Sequence, residues 1–128
     1  MKLLDSTFLI DLLKGKKETQ PIINTKQYFI TTQINMYEVI RGLFMHKAPQ
    51  EYIRRCFELF EDIRVLPLDD NALIKAAEIS ATLMNEGRDI SDCDCLTAGI
   101  ALSKGITTIV TKNVKHFQRI QNLKVETY

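Results

Sequence analysis

The chain of 128 residues has few cysteines, three in all, and they offer no even set of pairs for a disulfide framework. Cys93 and Cys95 are separated by a single residue, too close for an ordinary structural bridge, so reduced thiols are expected. The cysteines and the two histidines also lack the paired short spacings of structural zinc sites. The sequence therefore predicts neither a disulfide scaffold nor a zinc centre.

Excess charge of one sign is also lacking, because 17 basic residues face 16 acidic ones and the formal net charge is +1. This balance excludes a protein that binds nucleic acid through bulk positive charge, so any such contact would use local patches. An apolar fraction of 45% with almost no net charge excludes intrinsic disorder. We therefore expect a folded protein.

Long hydrophobic runs and linkers are absent as well. No apolar run approaches the roughly 18 residues of a membrane span, and the first residues lack a signal-peptide pattern. These features predict a cytoplasmic protein that does not contact the membrane. Because three prolines and five glycines are scattered without repeats or low-complexity tracts, residues 1–128 are expected to form one domain.

Strand and helix patterns alternate along the chain. Short apolar or β-branched runs predict strands at residues 2–5, 28–31, 64–68, 107–111 and 124–127. Apolar residues at helical spacing predict helices at residues 6–14, 32–45, 49–62, 71–85, 91–104 and 114–119. This order predicts an α/β fold in which helices cover both faces of a mostly parallel sheet.

Several acids lie where functional residues gather in such folds, beyond the carboxyl ends of the strands. Asp5 and Thr111 each close a predicted strand. Asp92 and Asp94 open a helix that is apolar around nearly its whole circumference. Burying an ionised carboxylate costs several kcal/mol unless it is paired or binds a cation, so these positions suggest a function.

Each acid also has a structural explanation. Asp5 can cap the helix that it precedes, and Asp94 suits the third position of a helix capped by Ser91. Glu38 can pair with Arg41, three residues later on the same helix. If the acids instead converge, they repel one another unless a divalent cation neutralises them. Oxygen ligands favour Mg²⁺ or Mn²⁺ over zinc, and such a site suits phosphodiester hydrolysis.

Four segments resemble, in order, the motif segments of PIN-domain proteins. They are residues 4–11 (LDSTFLID), 32–43 (TQINMYEVIRGL), 90–101 (ISDCDCLTAGIA) and 109–117 (IVTKNVKHF). Length and organisation are similar to those of VapC-type toxins. The resemblance implies a PIN-like three-layer α/β/α sandwich with a central, mostly parallel sheet.

The same resemblance implies the toxin component of a type II toxin–antitoxin system. Such a toxin is an endoribonuclease that requires Mg²⁺ (or Mn²⁺) and hydrolyses phosphodiester bonds in structured RNA by metal-activated water. The resemblance also implies a homodimer. Its cognate partner would be a small VapB-type antitoxin whose tail occupies the groove near the active site.

Matched residue by residue, Asp5, Glu38 and Asp94 correspond to the three core acids of the family, which are catalytic and bind the metal. Asp92 matches an additional acid found in part of the family and is a fourth expected ligand. Contacts to substrate or to metal-bound water are expected from Ser6, Thr7, Arg41, Thr111 and Asn113.

Two positions depart from the family pattern. Asn113 stands where many members have a fourth aspartate, and His116 stands where an aspartate commonly precedes Phe117. The first departure leaves open a catalytically weak or inactive PIN-fold RNA-binding module. A phospho-acceptor signalling domain, with Asp69 or Asp70 as acceptor and Lys112 as partner, is a poorer alternative because it gives Glu38 no role.

Overall fold

The structure, a computed structural model, describes residues 1–128. Five strands form one sheet: β1 (Lys2–Leu4), β2 (Phe29–Thr32), β3 (Arg64–Leu66), β4 (Thr108–Val110) and β5 (Lys124–Glu126). All neighbouring strands are parallel, in the order β3-β2-β1-β4-β5. Every predicted strand is present, with its ends shifted by at most two residues.

Seven helices connect the strands: α1 (Ser6–Leu13), α2 (Gln20–Ile23), α3 (Gln33–Met45), α4 (Gln50–Asp62), α5 (Asp70–Asn85), α6 (Asp92–Ser103) and α7 (Val114–Phe117). The sequence prediction missed α2 and the 3₁₀ turn Lys17–Thr19 before it. Both are too short to show a helical repeat of apolar residues. No helix has the length and apolar character that crossing a lipid bilayer requires.

Side chains of the sheet alternate between its two faces and enter two separate cores. Leu3 and Ile109 pack on one side with residues of α5 and α6. Leu4 and Val110, the next residues along the same strands, pack on the other side with residues of α1, α3 and α4. The protein is therefore a three-layer α/β/α sandwich, as the sequence predicted.

Helix α6 is buried nearly all round, in agreement with its apolar circumference. Its Gly99 allows α5 to approach closely, because a Cβ there would lie 2.6 Å from the carbonyl oxygen of Ala72 and 2.7 Å from Cβ of Ala76. This tight packing fixes α6 against the sheet. The first turn of α6, which carries Asp94, thereby faces the carboxyl edge of the strands.

Candidate active site

Asp5 lies at the carboxyl edge of the sheet, directly after the central strand β1, and is only 4% exposed. Its Oδ2 accepts hydrogen bonds from the hydroxyls of Thr111 (2.6 Å) and Thr7 (3.3 Å). Asp5 occupies the N-cap position of α1, but its side chain makes no capping hydrogen bond. Capping is therefore the wrong explanation for this carboxylate.

Asn35 is a buried member of the site to which the sequence analysis gave no role. Its Nδ2 donates to Asp5 Oδ1 (3.0 Å) and to Ser6 Oγ (3.0 Å), and its Oδ1 accepts from the Thr32 hydroxyl (2.7 Å). The available signal was its position three residues before Glu38, on the same side of α3. Asn35 thus ties the end of β1 to α3.

Glu38 points from α3 toward the start of α1, where its Oε1 accepts a hydrogen bond from Ser6 Oγ (2.8 Å). It forms no ion pair with Arg41, whose guanidinium carbon lies 5.1 Å from the centroid of the Tyr37 ring. The alternative of a surface pair between Glu38 and Arg41 is therefore wrong. Arg41 remains exposed near Glu38, and its charge acts on that carboxylate only from a distance.

At Asp94 the backbone amide takes part in the helix cap, while the carboxylate is directed elsewhere. Ser91 Oγ accepts a hydrogen bond from the Asp94 amide (3.2 Å), which confirms Ser91 as the N-cap of α6. The carboxylate itself is not needed for capping. Its Oδ2 lies 3.2 Å from Nδ2 of Asn113 and 3.1 Å from Nδ1 of His116.

The three acids perturb one another. Burial raises the pKa of Asp5, and the charge of Asp94 raises it further, against the hydrogen bond from Thr111. Burial also raises the pKa of Glu38, to which the charges of Asp5 and Asp94 add. No lysine or arginine forms an ion pair with any of the three. The cluster therefore holds negative charge that the protein does not neutralise.

Hydroxyl groups and backbone amides connect the cluster to the loop after β4. Thr7 Oγ1 accepts from the Lys112 amide (3.1 Å), and Thr111 Oγ1 accepts from the Asn113 amide (2.9 Å). These contacts place Thr7, Thr111 and Asn113 beside the acids. Their contacts to substrate remain a prediction.

Asp92 is not brought into the cluster. Its side chain is exposed and lines a shallow cleft against α5 with Ser80 and Leu96. Asp92 is also absent from the charges that shift Asp5 and Glu38. The reason is geometric. Residues two apart on a helix are rotated by about 200° around its axis, so their side chains point to nearly opposite sides. Its role as a metal ligand stays a prediction that this geometry does not favour.

The phospho-acceptor alternative finds no support at Asp69. Its Oδ1 accepts from the Ala72 amide (2.9 Å), which caps α5, and its Oδ2 is ion-paired with Lys104. These contacts lower the pKa of Asp69, the hydrogen bond from Lys104 first among them. Asp69 is thus a structural residue, while the uncompensated acids lie elsewhere.

The three acids would offer a metal ion only carboxylate oxygens, the ligand type that Mg²⁺ and Mn²⁺ bind. As they stand, the carboxylates do not close around one point as three direct ligands. A parallel α/β/α sandwich with three acids at its carboxyl edge, none of them ion-paired with a lysine or arginine, is the class of protein that the fold and the site define. Comparison with known proteins then identifies the family.

The sequence pattern of the PIN domain matches residues 2–123, and the chain belongs to the PIN domain family. It is 32% identical over 127 residues to ribonuclease VapC1 of Methanocaldococcus jannaschii, covering 98% of this chain and 85% of that protein. It is 29% identical to the tRNA(fMet)-specific endonuclease VapC of Salmonella typhimurium, covering 97% and 95% of the two chains.

Solved structures agree with these relatives. A chain of the DNA-bound VapBC structure from Salmonella typhimurium superposes with a TM-score of 0.85 at 27% identity, covering 98% of this chain and 96% of that one. A chain of VapBC2 from Rickettsia felis gives the same TM-score of 0.85 at 20% identity, covering 99% and 98%. The second likeness supports the fold alone.

Proposed function

We propose that this protein is the toxin of a type II toxin–antitoxin pair, an endoribonuclease that hydrolyses phosphodiester bonds in structured RNA. The observation that carries the proposal is the cluster of buried Asp5, half-buried Glu38 and buried Asp94, none of which forms an ion pair with a lysine or arginine. Relatives that match nearly the whole chain and are named ribonucleases give independent support. Because its substrate is RNA, we place the protein in the cytoplasm.

The residues of the cluster fit Mg²⁺ or Mn²⁺ as the cofactor, with Asp5, Glu38 and Asp94 as the groups that would hold it. Asp5 and Glu38 have raised pKa values because burial and neighbouring charges disfavour their ionised forms, which a cation would reverse. Such a cation, when bound, stabilises charge on the phosphate and activates the attacking water. Since the three carboxylates do not converge as direct ligands, we expect water to complete the coordination.

The protein's own contribution is to hold each carboxylate in place before RNA binds. Both oxygens of Asp5 are fixed, one by Asn35 and the other by Thr111. Ser6 orients Glu38 from the start of α1. This preorganisation lowers the cost of arranging charges around the reacting phosphate. Arg41, exposed near Glu38, is the side chain that we expect to bind a phosphate of the RNA backbone.

An apolar groove runs along α3, the helix that carries Glu38. It has a volume of about 540 Å³ and is lined by Gln33, Met36, Tyr37, Ile40, Arg41, Phe44 and Met45. Grooves of this kind receive the apolar face of a partner segment. We place the tail of the VapB-type antitoxin here, since an occupant of this groove also lies close to Glu38.

The homodimer implied by the family resemblance is part of the proposal. Large apolar side chains are exposed on α4 and α5, among them Phe57, Leu73 and Ile74. Because α4 and α5 lie on opposite faces of the sheet, the patch would be on one of the two helices, where pairing with a second copy would remove apolar surface from water. Light scattering of the purified protein at several concentrations measures the mass directly. A mass near 14.7 kDa at all of them would contradict the dimer.

The test of the proposed function is RNA cleavage by protein freed of any copurifying antitoxin. Wild type is incubated with total cellular RNA in Mg²⁺ or Mn²⁺, beside an EDTA control. Glu38→Gln removes one charge from the cluster. Glu58→Gln is the matched control, because Glu58 is an exposed acid paired with Arg54 on α4. We expect discrete, metal-dependent fragments from wild type and Glu58→Gln, and none from Glu38→Gln.

Each outcome has a defined meaning. Equal cleavage by Glu38→Gln and wild type would refute the site. Metal binding without any cleavage would favour the second candidate, a catalytically inactive PIN-fold RNA-binding module. The observation that favours this candidate is the neutral Asn113, whose amide contacts Asp94 where a fourth carboxylate would add charge. Gel-shift measurements with the same RNA would then detect binding without cleavage.

A further inference from the structure

His116 is the side chain at the cluster for which neither composition nor the family pattern provides a role. It lies in α7, immediately before the fully buried Phe117, which anchors that short helix in the core. Its Nδ1 is 3.1 Å from Asp94 Oδ2, and its side chain is 43% exposed. His116 is therefore held by its neighbour in the core while its ring contacts one of the acids.

The hydrogen on the imidazole can be placed from the chemistry of its neighbours. Asp94 Oδ2 only accepts when ionised, and Asn113 Nδ2 only donates. Asn113 Nδ2 lies 3.2 Å from that oxygen and 3.0 Å from His116 Nδ1. If Nδ1 lacked a hydrogen, its lone pair would face the carboxylate at 3.1 Å. The other tautomer would instead accept from Asn113 Nδ2. We assign the hydrogen to Nδ1 because a hydrogen bond to an ionised oxygen is the stronger of the two, and the two side chains then donate side by side to Oδ2.

This arrangement makes the two oxygens of Asp94 unequal. Oδ2 receives two side-chain donors, while Oδ1 receives no hydrogen bond from the protein. Two donors on Oδ2 restrict rotation of the carboxylate about its terminal bond. Oδ1 is thereby the oxygen left available for a cation or its water.

We propose that His116 is a positioning residue, which fixes the Asp94 carboxylate so that Oδ1 serves the cation site. The inference rests on the proposed metal-dependent function of the same cluster. Groups that hydrogen-bond to metal ligands without touching the metal commonly change metal affinity or activity by about 10–100-fold when removed. His116 would act in this way through Asp94, in place of a further carboxylate.

The first measurement is Mn²⁺ binding without RNA, followed by the electron paramagnetic resonance signal of free Mn²⁺. We expect His116→Ala and His116→Phe to bind Mn²⁺ about tenfold more weakly than wild type. His116→Asn should recover most of the affinity, because its amide nitrogen sits at a similar distance from the backbone as Nδ1. His46→Ala is the control, since His46 is exposed at the end of α3.

The second measurement is RNA cleavage as a function of Mn²⁺ concentration. We expect excess Mn²⁺ to restore the kcat of His116→Ala, with the KM for RNA unchanged. A raised KM for RNA with wild-type Mn²⁺ affinity would overturn the proposal in favour of a direct contact between the imidazole and phosphate. Unchanged Mn²⁺ affinity in folded His116→Ala would also overturn it.

An unfolded variant, or a wild-type protein without nuclease activity, would not be mistaken for a wrong role of His116. If His116→Ala does not fold, His116→Phe, which keeps a ring but has no donor, and His116→Asn, which keeps a donor, still decide the question by Mn²⁺ binding. If wild type binds Mn²⁺ but cleaves no RNA, the nuclease proposal fails while the binding curves still decide the role of His116. If wild type binds no Mn²⁺, the inference is overturned.

Discussion

Asp5 and Asp11 are both buried acids at the two ends of the first helix, yet their surroundings differ completely. Asp11 is 7% exposed and faces Lys16 and Lys112, each 3.1 Å from one of its oxygens. The hydroxyl of Tyr128 also donates to it at 2.7 Å. Asp5, at 4% exposure, meets only hydroxyls, an amide and other acids.

The pKa values report this difference. Burial alone would raise the pKa of Asp11, but hydrogen bonds from Tyr128, Lys112 and Lys16 lower it overall. At Asp5, burial raises the pKa and the hydrogen bond from Thr111 does not offset it. The lysines and the tyrosine around Asp11 stabilise its charge, whereas Asp5 has no cationic side chain to do so. Burial of a carboxylate is thus informative only together with its partners.

The largest effect expected from this comparison is on catalysis. Asp5→Asn should lower RNA cleavage by about a thousandfold or more, because cation-assisted charge stabilisation is worth several kcal/mol and about 1.4 kcal/mol is tenfold in rate. Asp11→Asn, at the other end of the helix, should keep most of the activity. Rates measured at saturating RNA and Mn²⁺ compare the two, and similar losses in both variants would refute the distinction.

The next effect is on stability. Asp11→Asn should destabilise the protein by about 1–2 kcal/mol, between the contribution of a surface ion pair and that of a hydrogen-bonded buried charge. Asp5→Asn should instead raise the melting temperature in EDTA, because it removes an unneutralised buried charge. Urea unfolding of the metal-free variants measures the free energy change, and thermal unfolding in EDTA measures the melting temperature. A lower melting temperature for Asp5→Asn would show that its hydrogen bonds outweigh the charge.

The pH dependence of stability should have opposite signs at the two acids. The raised pKa values of Asp5 and Glu38 mean that acidification from neutrality stabilises the metal-free fold through them. The advantage of Asp5→Asn over wild type should therefore shrink as the pH falls toward the ordinary value of 3.8. The lowered pKa of Asp11 predicts stability that is present above 3.8 and lost only below it. Melting curves from pH 7 down to about pH 2.5 test this divergence, since the loss through Asp11 begins only below 3.8.

The smallest effect concerns a single hydroxyl. Tyr128→Phe should cost about 1 kcal/mol, because it removes one hydrogen bond to Asp11 and keeps the ring packed edge-on against Phe8. Burial and the hydrogen bond with Asp11 raise the pKa of Tyr128, so its hydroxyl donates throughout the ordinary pH range. In the Asp11→Asn background, Tyr128→Phe should lower the free energy of unfolding by a smaller amount, because the charged acceptor of the hydroxyl is already gone. Equal costs in both backgrounds would show that the hydroxyl acts independently of Asp11.

Most of the fold could be predicted because its signals are local. β-Branched residues at 107–111 and helical spacing at 71–85 each identify an element without reference to the rest of the chain. The cap at Ser91 was equally readable. Helix α2 was not, since four residues give no period. Where a signal needs only neighbours in sequence, the prediction succeeded.

The site was predictable only in part. Motif resemblance indicated Asp5, Glu38 and Asp94, and the structure brings them to one edge. Asn35 and His116 escaped because their importance depends on contacts across 30 and 22 residues of sequence. Asp92 was included because it matches an additional acid found in part of the family, although its exposed side chain points away from the cluster. Asp92 and Asp94 are close in sequence but point to different sides of α6, so only Asp94 reaches the cluster.

The sequence by itself determined the order of strands and helices, the acids available to the site and the absence of a disulfide framework. Tertiary structure alone decided which buried acids keep a cation of their own and which do not. The physical reason is that a carboxylate's electrostatic state is set by every charge and dipole within a few ångströms. In this protein the side-chain partners of Asp5 come from α1, α3 and the residue that follows β4, and the parallel sheet brings them together.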